Sequence, residues 1–214
     1  MANPALAFAV PPPQVAPKPA PHRSLPRAVS TSSASPLPYG VSEGVFIKTI
    51  VLTDLVDSTR MVESLGDARA AEIFERHDRI ARDLLEQHGG REIDKSDGFL
   101  MLFERPVDAV RFALTYHGLL AVLSAEVQHP VASRVGIHLG EVIISRAREE
   151  DVRRGAKPIE AKGIAVPTAA RVMSLAGGNQ TLLTKTAFDM ARRAAMQDEG
   201  VNPNILWLAH GEYL

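Results

Sequence analysis

The sequence predicts an α+β fold in the ferredoxin-like order β-α-β-β-α-β, and three observations carry that prediction. A β-branched apolar run at residues 46–53 stops at Asp54. Two long stretches with helical apolar spacing, 67–88 and 107–127, bracket a short pattern centred on Asp97-Gly98. Two further β-rich runs, 134–138 and 142–144, follow the second stretch. A period-2 or buried-strand pattern alternating with a 3.6-residue pattern in this order is the split βαβ arrangement, here with extra elements appended at the C-terminal side.

Each element has its own local reason. Phe46-Ile47-Lys48-Thr49-Ile50-Val51-Leu52-Thr53 is of strand length and rich in residues that suit a pleated surface. Asp67 opens a helix in which Ile73, Ile80 and Leu84, flanked by Phe74, Ala81 and Leu85, keep one apolar face. Gly89-Gly90 ends it, because glycine takes the left-handed conformation that closes a helix. Residues 91–94 and 99–103 form the arms of a hairpin, with Asp97-Gly98 at its turn. Pro106 suits the first turn of the second long helix, whose amide hydrogens lack partners in any case. Residues 146–162 are charged and mixed and read as a loop. A helix over 168–175, a strand over 181–183, a helix over 186–195 and a last strand over 205–209 complete the pattern.

Composition divides the chain in two. It has 214 residues, and ten of its 15 prolines fall before residue 40. The first 42 residues hold no acid, and Lys18, Arg23 and Arg27 are their formal cations. Dense proline removes backbone donors and blocks helix, so residues 1–43 read as a disordered, Pro-rich tail and 44–214 as one domain. An acid-poor, Ser-containing start is also one mark of a transit peptide, but the prolines spoil the amphipathic helix that such a segment needs. There is no cysteine, which excludes a disulfide framework, a thiolate metal site and a thiol nucleophile. The formal net charge of −1 offers no broad basic field for nucleic acid. No apolar run reaches the roughly 20 residues of a membrane span. The expected location is cytoplasmic.

Two acids stand out by position. Asp54 ends a buried strand, and Asp97 lies in the turn of the hairpin that follows. In the predicted sheet the first strand lies beside the hairpin, so the two carboxylates could meet at one edge. Carboxylates with a triphosphate are the hard oxygen donors that Mg²⁺ or Mn²⁺ prefers. Each also has a plain structural reading: Asp54 as a helix cap, and Asp97 as ordinary tight-turn chemistry.

Several runs in register resemble the class III adenylate/guanylate cyclase catalytic domain, in a divergent bacterial-type form. Ile50-Val51-Leu52-Thr53-Asp54-Leu55-Val56-Asp57-Ser58-Thr59 resembles the family's first metal motif, and Ser96-Asp97-Gly98-Phe99-Leu100 its second. Arg134-Val135-Gly136-Ile137-His138-Leu139-Gly140-Glu141 resembles its central strand. Ala165-Val166-Pro167-Thr168-Ala169-Ala170-Arg171 resembles its transition-state helix, and Gly178-Asn179-Gln180-Thr181-Leu182-Leu183-Thr184 the run that follows.

The resemblance implies the nucleotidyl cyclase fold and conversion of ATP, or second to it GTP, to a 3′,5′-cyclic nucleotide and pyrophosphate. Two Mg²⁺ or Mn²⁺ ions would be held by Asp54, the Leu55 carbonyl and Asp97, with Arg171 as the transition-state cation. It also implies a homodimer that shares its active sites, with signal transduction as the setting. Glu160 falls at the partner acid of base recognition, and Lys157 in the arm loop is a candidate for phosphate. The departures are specific. Pro167 stands where the family has a ribose-orienting asparagine, and Ile93 stands at the base-reading position, with Lys95 two residues off. His210-Gly211-Glu212-Tyr213-Leu214 resembles the approach to a terminal strand ending in Lys-Gly, which implies that the last strand is missing. These departures favour a second reading, a catalytically degenerate cyclase-homology domain that binds nucleotide or a partner. A diguanylate cyclase is disfavoured because Ser96-Asp97-Gly98 lacks that family's hairpin signature.

Overall fold

The β-branched run becomes β1 (Gly44–Leu55), and the next elements are α1 (Ser58–Leu65), α2 (Asp67–Gln87), β2 (Arg91–Lys95), β3 (Phe99–Phe103), α3 (Pro106–Val127) and β4 (Ser133–Arg146). α4 (Glu149–Arg153), β5 (Ile159–Lys162), α5 (Ala165–Ser174), β6 (Gln180–Leu183) and α6 (Lys185–Gln197) follow. The structure is a computed structural model, and it describes residues 43–96, 98–197 and 205–209. The expected Pro-rich tail up to residue 42, Asp97 and residues 210–214 lie outside the described residues.

The sheet order is β2-β3-β1-β4-β5, with β1 antiparallel to both β3 and β4. β5 pairs the C-terminal half of β4 in antiparallel fashion, while β6 pairs its N-terminal half in parallel. The β-α-β-β-α-β core is therefore present as expected. Alternation sends successive side chains of β1 to opposite faces. Val51 and Leu55 join Phe99, Met101, Val135 and Ile137 on the face covered by α2 and α3. Ile50, Leu102, Val142 and Ile144 lie on the other face, against Ala165 and Ala169 of α5. Small residues permit that second contact. A Cβ on Gly136 would sit 2.6 Å from the Ala169 carbonyl oxygen, and one on Gly140 would sit 3.0 Å from the Ala165 Cβ. α5 thus runs antiparallel to β4 at close range, which brings its C-terminal end toward Arg134.

Several expectations need correction. Leu139-Gly140-Glu141 does not separate two strands. Pairing with β1 from Ser133 to Ile144 carries β4 straight through it, because a ladder along a neighbour outweighs one glycine's weak strand preference. The supposed loop at 146–162 contains α4 and β5. A separate helix, α1, precedes the one expected to open at Asp67. Its N-cap residue Asp57 lies at φ 55° and makes no side-chain capping bond. Residues 205–209 form no strand, and Trp207 instead packs edge-on against Phe188 with ring centroids 5.4 Å apart. By length and composition, α3 is apolar enough to cross a membrane. Its Phe112, Tyr116, Leu120 and Leu123 are fully buried under the sheet, so its apolar character serves the core.

One consequence for stability concerns histidines. His117 Nε2 lies 2.9 Å from Thr181 Oγ1, joining α3 to β6, and burial lowers its pKa. Burial also lowers the pKa of His138, which contacts Thr184 Oγ1 at 3.0 Å. A depressed folded-state pKa gives stability that is present above the unfolded value, roughly 6.5, and is lost as pH falls through the folded value. Thermal melts between pH 7.5 and 5 should therefore show falling stability. His117→Gln should flatten the slope by up to about 1.4 kcal/mol per pH unit. Identical slopes for wild type and variant would refute the assignment.

Candidate active site

Asp54 stands one residue from the end of β1, where the strand leaves the sheet for the turn into α1. It lies on the α5 face, and its carboxylate is ion-paired with the guanidinium of Arg134, its cross-strand neighbour. Both side chains remain partly open, at 23% and 33% exposure. Leu55 is buried on the opposite face, so its carbonyl is the part able to serve the edge.

The β2–β3 turn reaches this edge because of Gly98. The β1–β3 ladder pairs Leu52 with Leu100, and the same register continued two residues further sets Gly98 opposite Asp54. A Cβ on Gly98 would overlap the Thr53 carbonyl oxygen and lie 3.2 Å from the Asp54 Cα. Only glycine permits this approach, and Asp97 immediately precedes it in the sequence.

The donor chemistry suits a hard divalent ion: the Asp54 carboxylate, the Leu55 carbonyl and, from the sequence, the Asp97 carboxylate. Among the described residues alone, no three His, Asp or Glu side chains converge on a metal-sized point. The fit therefore depends on Asp97, which lies outside the described residues.

Arg171 projects from the exposed side of α5, and among the described residues no carboxylate pairs with it. Pro167 is exposed one turn earlier on the same helix, in the first turn, where its missing N–H costs nothing. Thr168 does not replace the family's asparagine, because its hydroxyl donates to the Ile164 carbonyl at 2.7 Å.

The other expected ligands are arranged differently. Lys157 is ion-paired with Asp94 of β2 rather than free for phosphate. Glu160 lies between Ile159 and Ala161, which pack on the α5 face, so it points the other way and pairs with Lys162 at 2.5 Å. Ile93 sits at a β-bulge, where Glu92 pairs with Met101 and Asp94 with Leu100, and it is 9% exposed within the α5-side core. The bulge gives Asp94, not Ile93, the polar position.

Sequence reasoning missed Arg134 as the partner of Asp54, and it missed His77. The signal for His77 was available: it falls four residues after Ile73 and four before Ala81, in the buried stripe of α2. Beside it lies a cavity of about 340 Å³, lined among others by Leu55, Ser58, Thr59, Asp78, Lys95 and Ser96.

Known structures share this architecture. An adenylyl cyclase, CyaB from P. aeruginosa, superposes with a TM-score of 0.65 at 15% identity, over 72% of this chain and 84% of that one. A guanylyl cyclase superposes with a TM-score of 0.64 at 21% identity, over 71% and 81%. The guanylate cyclase domain of RhGC from Catenaria anguillulae, solved in complex with GTP, gives 0.61 at 14%, over 69% and 83%. The fold is that of an adenylyl/guanylyl cyclase catalytic domain. No protein-family model matches the chain, and no curated protein matches it in sequence. In this cyclase fold Asp54, Gly98 and α5 all serve one end of the central sheet.

Proposed function

We propose that the chain is a nucleotidyl cyclase that converts a purine nucleoside triphosphate to its 3′,5′-cyclic nucleotide and pyrophosphate. The observation that carries this reading is the edge where Gly98, next to Asp97, is pressed against Asp54 in a cyclase fold. Asp54, the Leu55 carbonyl and Asp97 would hold two Mg²⁺ or Mn²⁺ ions, which supply charge stabilisation for the attacking and leaving oxygens. The ribose 3′-oxygen bonds to the α-phosphorus as the bond to pyrophosphate breaks. Arg171, permanently charged and unpaired among the described residues, supplies positive charge to the phosphoryl oxygens as the reaction proceeds. The reading includes a homodimer with shared sites, and it leaves ATP and GTP both as substrates to assay. Asp94 and Lys157 offer one acceptor and one donor near the place where Ile93 has none.

A second reading, a cyclase-homology domain that binds nucleotide without turnover, is favoured by Pro167 and by the outward-facing Glu160. One assay separates the two. The full chain is incubated with ATP or GTP and Mn²⁺, and cyclic nucleotide and pyrophosphate are followed. Asp54→Asn and Asp97→Asn should each lower turnover by at least about a hundredfold. Because the Asp54–Arg134 pair is partly exposed, Asp54→Asn should move stability by no more than about 1 kcal/mol. Equal product from wild type and both variants would remove the enzyme reading.

A further inference from the structure

The carboxylate and the guanidinium at the site edge meet through a single bond. Arg134 Nη2 donates to Asp54 Oδ2, while Arg134 Nε is buried and has no hydrogen-bond partner among the described residues. A guanidinium and a carboxylate at their best make two parallel bonds. This pair makes one and leaves a buried donor without an acceptor, which costs free energy. Both side chains are also partly open to solvent, so the net contribution of the pair is small. Such a contact gives way to a stronger competitor for the carboxylate.

The backbone around the pair is fixed. Asp54 and Arg134 are register partners in the β1–β4 ladder, and Ser133 Oγ donates to the Asp54 carbonyl at 3.0 Å. The Val56 amide donates to the Ala132 carbonyl at 2.9 Å, which ties down the chain beyond the strand end. A change of partner therefore needs only side-chain rotation. The guanidinium also has a second favourable place. Gly136, two residues on and on the same face, meets α5 so closely that a Cβ there would lie 2.4 Å from the Met173 amide nitrogen. Because α5 runs antiparallel to β4, Arg134 lies toward the C-terminal end of α5, whose last carbonyls carry the negative end of the helix dipole. That end favours a cation whether or not Asp54 is its partner.

We propose that Arg134 is a displaceable counter-ion of Asp54: the ion pair and a divalent cation exclude one another at this carboxylate, and the pair lowers the resting chain's affinity for Mg²⁺ or Mn²⁺. A site whose competent form is only part of the population binds with an affinity reduced by that fraction. The guanidinium also repels a cation brought close to it. The proposal rests on the cyclase reading for Asp54 as a metal ligand, and on no other residue of that site.

Mn²⁺ binding to the full-length protein without nucleotide, read from the paramagnetic resonance signal of free Mn²⁺, tests this. Arg134→Met should tighten Mn²⁺ binding about threefold or more, and Mn²⁺ bound by the variant but not measurably by wild type would count the same way. Arg60→Met removes a cation of α1 whose side chain is 81% exposed, and it should leave the affinity unchanged. Should Arg134→Met fail to fold, Arg134→Gln removes the charge but keeps a polar side chain, and it should give the same gain. In wild type, Mg²⁺ should shift the Nε–H resonance of Arg134, identified by its absence from the variant. Equal or weaker Mn²⁺ binding by the Arg134 variants, an equal gain in Arg60→Met, an Nε–H signal that saturating Mg²⁺ leaves unmoved, or no binding by any of these chains would overturn the proposal. A gain in Arg134→Met with no cyclic nucleotide from wild type would keep the counter-ion role and end the cyclase reading.

Discussion

Gly98→Ala should lower stability by about 3 kcal/mol and, with it, most of the affinity for Mn²⁺. The added Cβ would overlap the Thr53 carbonyl oxygen, with the Thr53 carbonyl carbon 2.7 Å away and the Asp54 Cα at 3.2 Å. All three are backbone atoms and cannot rotate aside as a side chain could, so the strands must part or the turn must move. In a protein of this size about 3 kcal/mol corresponds to a fall of roughly 6–12 °C in melting temperature. The same displacement would move Gly98, and the start of β3 after it, away from Asp54. Gly118→Ala is the matched control. Gly118 lies within α3, and a Cβ added there would meet nothing within 4 Å, so alanine should be neutral or stabilise by up to about 1 kcal/mol. Equal melting temperatures for the two variants would contradict the packing account.

How much of this could be read from residues alone depends on whether the cause is local. The strand at 46–53, the helix closed by Gly89-Gly90 and the Pro106 start are decided by neighbours in sequence, and all three appear within a few residues of their expected bounds. The unbroken β4 was not legible, because its continuity across Gly140 is supplied by β1, distant in the chain. The β-bulge at Ile93 depends in the same way on how β2 meets β3. Residues 205–209 carried a strand-like pattern, yet such a pattern cannot say whether a neighbour is available to pair with. At the site, Asp54 was legible as a strand end preceding a turn. Its pairing with Arg134 was not, since opposite charges meet there only through antiparallel register. Glu160 shows the reverse case: a motif position assigns it a role, while alternation along β5 sets its side chain on the face away from α5.

The placement of Arg171 leads to the sharpest expected result. Arg171 and Asp54 lie toward the same end of one sheet face, since α5 runs antiparallel to β4 and β4 pairs Arg134 with Asp54. Yet Arg171 projects into solvent, while the Asp54 carboxylate is already met by Arg134 within its own chain. A cation that serves phosphate from an exposed helix face serves most directly a site on a second copy, and the homodimer with shared sites that the resemblance implies has this form. Asp54→Ala and Arg171→Ala should then each be silent alone. Mixed and allowed to exchange, half of the dimers would be hybrids, and each hybrid would have one site with both defects and one with neither. Activity should return to about a quarter of wild type, from zero in either parent. If each chain built its site alone, mixing would restore nothing, because every site would keep one of the two defects. Measuring product against the mixing ratio distinguishes the two: a shared site gives a maximum near equal amounts, whereas a site within one chain gives a flat line at the level of the parents.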